Sequence, residues 1–278
     1  MKELFDTSSY QCSKLITNAY STSFSMGIKL FSPVIRPAIY AIYGFVRYAD
    51  EIVDTFDGYQ QEELLNEFEA DYYKSLERGI SLNPILNSFQ EVVLKYELQS
   101  FVTDFMKSMR DDLSKKEYAT TEEYQQYIYG SADVVGLMCL KVFVNNDKEK
   151  FERLKGPAMK LGSAFQKVNF LRDLKDDVNE LGRSYFPEMD TSDLDEQTKK
   201  VIIEDIEKDF ADAREGILQL PMESKFGVFL AYKYYLSLLM KLKRMNSHQI
   251  MSRRIRISNG YKAYILMKAF LRFKLNIL

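Results

Sequence analysis

Apolar residues recur three and four positions apart along nearly all of this 278-residue chain, and two-residue alternation is almost absent. That period is the spacing of one face of a helix, so the chain is expected to fold as an all-α protein. Pro33 and Pro37 can open a helix whose apolar face carries Ile39, Ile42, Phe45, Val46, Ala49, Ile52, Val53 and Phe56, with Gly58 marking its end. Further helices are predicted over about 61–78, 83–112 with a break, 120–144, 148–181, 194–218, 224–247 and 257–276. The six prolines and the clusters Asn83-Pro84, Gly156-Pro157 and Glu188 to Asp193 punctuate them. No fixed-period repeat and no GxGxxG or GxxxxGKS/T loop occurs, which disfavours a nucleotide-binding α/β fold.

With 46% apolar residues a chain of this length can bury a substantial core, and residues 1–278 are read as a single domain. Its two cysteines, Cys12 and Cys139, have no CxxC or Cys/His ligand spacing, so neither a disulfide framework nor a structural zinc site is expected. No signal peptide and no uninterrupted apolar run of roughly 18 residues is visible. A cytoplasmic protein is expected. The net charge of -2 is unevenly spread: Lys225 to Leu278 carries 12 Lys/Arg and no Asp or Glu, leaving 26 basic against 40 acidic residues before it. This cationic end suits an anionic lipid surface or a phosphorylated ligand, against the plainer reading of a solvated surface. Nucleic acid is disfavoured, since no groove-reading motif accompanies the charge.

Acidic residues are the second constraint. Tyr43, Arg47, Asp50 and Asp54 follow steps of four, three and four, and so share one stripe opposite the apolar face of their helix. Gln166, Asn169, Asp173 and Asp177 make a second stripe opposite Leu171, Leu174 and Val178. Each stripe carries an i,i+4 Asp pair. Asp50, Glu51 and Asp57 surround Asp54, while Asp173 and Glu180 flank Asp177, and no Lys or Arg stands at helical distance from either. Like charges at that spacing cost about 0.2 to 0.5 kcal/mol each, so ordinary solvated faces explain the pattern poorly. A hard divalent cation explains it better. All-oxygen donors without His or Cys favour magnesium, which bridges carboxylates to phosphates, and two such stripes suggest a phosphorylated substrate held between two helices.

The residues that carry these stripes also carry a family likeness. YGFVRYADEIVD at 43–54 and NFLRDLKDDVNELGRSYFP at 169–187 resemble the paired Asp-rich signatures of the squalene and phytoene synthases, the head-to-head trans-isoprenyl diphosphate synthases. The likeness extends to STSFSMGIKLF at 21–31, YIYGSADVVG at 127–136 and RRIRIS at 253–258. It implies an isoprenoid-synthase fold, one helical domain around a central cavity. It further implies that Asp50, Asp54, Asp173 and Asp177, with Asn169, hold magnesium (manganese as a substitute) that bridges prenyl diphosphates, and that Gln166 lies beside them. Arg47, Arg172, Arg183, Ser21 and Ser23 are expected at the diphosphates. Tyr43, Tyr127 and Tyr185 match family tyrosines of the reaction site, and Phe24, Ala132, Val135 and Gly136 are expected to border the prenyl tunnels.

The resemblance is strongest to bacterial phytoene synthases. It implies condensation of two geranylgeranyl diphosphates to phytoene through a cyclopropylcarbinyl (prephytoene) diphosphate, without NADPH, in carotenoid biosynthesis. Squalene or dehydrosqualene synthase acting on farnesyl diphosphate is the alternative, and a non-catalytic assembly factor of the same fold is the alternative from another class, though it should have lost the Asp pairs. Long hydrocarbon substrates add an expectation of peripheral contact with the inner membrane face. Four positions depart from the pattern or stand apart from it. Glu51 replaces a common Asp, Tyr20 and Ser247 stand where some relatives carry His and Tyr, and His248, the only histidine, is expected on the surface.

Overall fold

Thirteen α-helices and one π-helical turn, with no strand among the described residues, build the protein in this computed structural model. It describes residues 1–115, 118, 120–179, 185–187 and 194–275, apart from the side chains of Asp177 and Asn179. In chain order the helices are α1 (Lys2–Tyr20), α2 (Thr22–Ile28), α3 (Arg36–Thr55), α4 (Gln61–Arg78), α5 (Pro84–Tyr96), α6 (Gln99–Asp112) and α7 (Thr121–Ile128). The π-helical turn Tyr129–Asp133 leads into α8 (Val134–Phe143), followed by α9 (Lys148–Asn179), α10 (Glu196–Gln219), α11 (Met222–Arg244), α12 (Ser247–Ser252) and α13 (Asn259–Lys274).

The periodicity locates ten of these helices closely, and the departures have physical causes. The apolar period gives no hint of α1, because its buried face is made of hydroxyls: Ser9, Ser13 and Thr17 are fully buried. Ser13 shares a 2.8 Å hydrogen bond with Ser88 of α5, and Thr17 and Ser9 donate back to the carbonyls of Ser13 and Phe5. Small side chains let α1 approach closely, and a Cβ at Gly44 would stand 3.1 Å from Ser13 Oγ. The helix expected over 120–144 is interrupted by the π turn. A Cβ at Gly130, inside that turn, would lie 1.9 Å from Ser108 Oγ of α6. The turn thus adapts the chain to a crowded crossing.

Caps set some of the other ends. Asn83 accepts from the backbone N–H of Ile85 at the start of α5, with Pro84 at the first helical position. Gly79, at φ +67, closes α4 in the left-handed region that glycine tolerates best. Pro157 does not break α9, which continues through it while packed against α8 and α10.

One apolar core joins the helices, with Phe45, Phe89, Phe105, Leu65, Leu86 and Phe210 among its fully buried side chains. Within the bundle α3 packs on α1, α4, α5, α6 and α8, whereas α9 packs on α7, α8, α10, α11 and α12. The two stripe-bearing helices therefore belong to different halves that share α8. No helix of the described residues is long and apolar enough to cross a membrane.

Candidate active site

Helix α3 is buried around most of its circumference, from Ala38, Ile39 and Tyr40 to Ile52 and Val53. Its polar stripe is the exception. Tyr43, Arg47 and Asp50 are half-buried, and Asp54 is exposed. Burial, and after it the Asp54 charge, pushes the Asp50 carboxyl up to about 8, against the smaller opposing effect of Arg47. Arg47 therefore offsets only part of what burial and the Asp54 charge impose on the Asp50 carboxylate. Arg47 is pinned from two sides: it pairs with Glu51 one turn on, and its guanidinium lies 4.4 Å from the centre of the Tyr20 ring. Its Nε is buried and has no hydrogen-bond partner among the described residues, which leaves it a donor for an anionic ligand oxygen.

Across from α3, α9 presents half-buried Gln166, Asn169, Arg172 and Asp173. Here the structure corrects the expectation of acids without a positive partner. Arg172 Nε donates to Asp173 Oδ1 at 2.9 Å, and Arg254 Nε lies 2.8 Å from the same oxygen. Neither partner sits at helical spacing: Arg172 is the adjacent residue, and Arg254 comes from the RRIRIS segment between α12 and α13. Asp177's side chain and the whole of Arg183 lie outside the described residues. His248 is exposed, as expected, and Ser247 N–H donates to Glu196 at the start of α12.

Aromatic side chains bridge the two halves in two groups. In the first, Phe24 of α2 lies 5.9 Å from Tyr43 of α3 and 6.0 Å from Tyr235 of α11 between ring centres, while Tyr235 stacks on Phe165 of α9 at 4.0 Å. Tyr235 donates its O–H to Asn169 Oδ1 at 3.3 Å. Ser21 caps α2 by accepting from Phe24 N–H at 3.2 Å, which fixes the ring's approach, and Ser23 is half-buried in the same turn. The second group stacks Tyr127, Tyr118, Tyr185 and Phe170, with Tyr185 on Phe170 at 3.9 Å. Tyr127 donates to Asp112 Oδ2 at 3.1 Å, and Tyr118 reaches Oδ1 of the same carboxyl at 3.4 Å. Burial raises Tyr43 to about 12 and Tyr127 far above its ordinary value, so both remain neutral phenols.

Asp112, Tyr118, Tyr235, Phe165, Phe170 and Arg254 were not among the expected site residues. Arg254 stands in a segment that carries the family likeness, which was its signal; Asp112 and Tyr235 sit in helical runs with nothing local to mark them. Ala132, Val135 and Gly136 are half-buried on the π turn and α8. At Gly136 smallness has a packing use, since a Cβ there would stand 3.1 Å from the Ala158 carbonyl oxygen of α9.

Among the described residues no three His, Cys, Asp or Glu side chains converge to hold a metal unaided. Magnesium does not require that, since it commonly takes one or two carboxylates and completes its shell with water and substrate phosphate. An all-oxygen stripe whose buried Asp50 carboxylate is only partly answered by Arg47 fits such a cation.

The model of the squalene/phytoene synthase family matches residues 17–261. The chain belongs to that family. Its members are prenyltransferases, and so is this chain. The phytoene synthase of Arthrospira platensis is 28% identical, over 95% of this chain and 93% of its own, and the 15-cis-phytoene synthase of a Synechocystis strain is 29% identical, over 95% and 85%. In fold, the chain superposes on a ligand-bound dehydrosqualene synthase with a TM-score of 0.82 at 20% identity, covering 97% of this chain and 98% of that one. A squalene synthase from Alicyclobacillus acidocaldarius gives 0.72 at 21% identity, over 85% and 94%. The expected isoprenoid-synthase architecture is therefore the observed one.

Proposed function

We propose that this prenyltransferase, residues 1–278 acting as one domain, condenses two geranylgeranyl diphosphates head to head into phytoene. The observation that carries this reading is the aromatic bridge through Phe24, which joins Tyr43 on the Asp50 stripe of α3 to Phe165 of α9 and, through Tyr235, to Asn169 on the Asp173 stripe, with Arg47 near Asp50 and Arg172 on Asp173. Family relatives named phytoene synthase, matched over nearly the whole chain, support the C20 substrate.

Magnesium, held by Asp50 and Asp54 on one side and Asp173, Asp177 and Asn169 on the other, would supply Lewis-acid stabilisation of diphosphate oxygens. The chain's own groups do the rest. Arg47, with its free buried Nε, binds the diphosphate beside α3. Arg172 and Arg254, which hold Asp173 here, bind the diphosphate beside α9, and Arg183, Ser21 and Ser23 add contacts to diphosphate oxygens. In the first reaction a C–O bond breaks and diphosphate leaves; the double bond of the second substrate attacks the allylic cation, and loss of a proton closes the cyclopropylcarbinyl diphosphate. In the second, the remaining C–O bond breaks, the cation rearranges, and loss of another proton gives the linear product with no reductant. Phe24, Tyr43, Phe165 and Tyr235, and across the site Tyr127, Tyr185 and Phe170, exclude water and offer π faces to the cations. Protonated phenols suit that task, because a phenolate would trap a carbocation.

The test is product identity. Purified protein with magnesium and either farnesyl or geranylgeranyl diphosphate, with and without NADPH, is expected to yield phytoene from the C20 substrate, independent of NADPH. Asp50→Ala and Asp173→Ala should abolish diphosphate release with helical circular dichroism intact, while Asp176→Ala, off the stripe, should be milder. A strict C30 product overturns the substrate assignment, and full turnover by either stripe variant overturns the metal assignment.

A further inference from the structure

Helix α13 is apolar on two sides, and among the described residues only one of them is covered. Ile265 and Ala269 are buried, with Leu266 and Phe273 half-buried beside them, and the helix packs against α11. On the opposite side Tyr264, Met267, Leu271 and Leu275 follow one another at steps of three, four and four, and are 48%, 57%, 54% and 66% exposed. Helical geometry places these four on a single outward stripe.

Alongside the stripe runs a groove of about 1130 Å³ between α11 and α13. Lys233, Lys241, Arg244, Arg256, Lys268 and Arg272 line it, and no Asp or Glu is among its lining residues. The cations are close enough to oppose one another: burial first, then Arg272, Arg214 and Lys268, holds Lys233 below its ordinary value. Lys268 and Arg272 lie on the flank of α13 that joins the groove to the apolar stripe.

We propose that α13 and this groove form a docking surface for an anionic lipid bilayer, the apolar stripe entering the interface and the cations meeting lipid phosphates. Charge complementarity chooses this occupant. A second copy paired about a two-fold axis would set six cations against six, whereas an anionic leaflet answers both features at once. The first turn of α13 also reaches the reaction site. Lys262 Nζ donates to Thr22 Oγ1 at 2.9 Å, between the site serines Ser21 and Ser23, and Tyr234 O–H donates to the Lys262 carbonyl at 3.1 Å. Docking therefore brings the Ser21–Ser23 edge of the site toward the bilayer; that this delivers prenyl chains rests on the proposed function, whereas the docking does not.

The experiment is sedimentation of the full chain, without substrate, with vesicles of equal parts phosphatidylglycerol and phosphatidylcholine and with vesicles of phosphatidylcholine alone. Binding is expected on the first, weakening as salt rises. With each cation near an anionic surface contributing roughly a five-fold factor in partitioning, the pair Lys268→Gln and Arg272→Gln should weaken it roughly 25-fold. Met267→Glu with Leu271→Glu should remove it, with circular dichroism unchanged since these side chains are exposed. No binding, equal binding to neutral vesicles, or variants that bind like the parent overturn the proposal, as does a soluble dimer that Met267→Glu and Leu271→Glu dissociates. Because no turnover is measured, failure of the C40 assay with vesicle binding retained sinks the function alone, and the converse sinks the docking alone.

Discussion

Asp133 measures what burial does to one carboxyl when its partners are incomplete. It accepts a 2.7 Å hydrogen bond from Ser163 Oγ, and Lys160 and Lys167 lie near, yet both lysines pair with Asp209. Burial prevails over the Ser163 hydrogen bond and raises Asp133 to about 7. A raised acid binds its proton more tightly in the folded state, so its contribution to stability falls as pH rises from about 4 to about 7 and stays low above that. At 1.36 kcal/mol per pKa unit the span is on the order of 4 kcal/mol. Asp133→Asn should therefore melt higher than the parent at pH 8 and lose that advantage at pH 4; parallel melting curves for the two proteins across that range would refute the assignment. The sequence could not announce this group, because the charges that face it come from α9 and α10, 27 to 76 residues away. The Asp pairs were legible for the opposite reason: both members of each pair lie on one helix, where spacing alone puts them together. Asp112, Arg254 and Tyr235 owe their places to tertiary contact, which no local spacing encodes.

At the scale of elements, the same logic separates what periodicity reads from what it misses. A strong apolar stripe made α3, α4 and α5 visible, whereas α1 packs through serine and threonine and has no such signature. Two glycines on neighbouring helices provide a sharper case, since helix propensity treats them alike. Gly156 of α9 has open space where a Cβ would go, while a Cβ on Gly216 of α10 would stand 2.3 Å from Pro157 Cβ. Gly156→Ala should gain part of the about 0.5 to 1 kcal/mol of helix propensity, the rest being offset by the crowding that the Pro157 ring imposes on a Cβ just before it. Gly216→Ala gains the same term and must also force α9 and α10 apart, at a cost of about 1 to 3 kcal/mol. Opposite signs are expected in denaturant titration; equal shifts would mean that the Pro157 contact yields freely.

Chain length is a property of the whole molecule, because no single residue measures twenty carbons. The expected tunnel borders come from several elements: Phe24 on α2, Ala132 on the π turn, and Val135 and Gly136 on α8. Their backbone positions are fixed by close crossings, with the Gly162 Cβ position 2.9 Å from the Ala132 carbonyl oxygen and that of Gly136 3.1 Å from the Ala158 carbonyl oxygen. Such walls cannot retreat to admit a bulkier side chain, so added volume at the tunnel must come out of the substrate. Each buried CH₂ contributes about 0.8 kcal/mol, and the C20 chain exceeds the C15 chain by one five-carbon unit. Val135→Phe should fill much of the space for that unit, so the ratio of kcat/KM for C20 over C15 diphosphate should drop by on the order of 100-fold. C15 turnover should largely persist, with C30 product rising at the expense of C40. A loss of both activities in equal proportion would make Val135 a packing residue of α8 and move the depth of the tunnel elsewhere in the bundle.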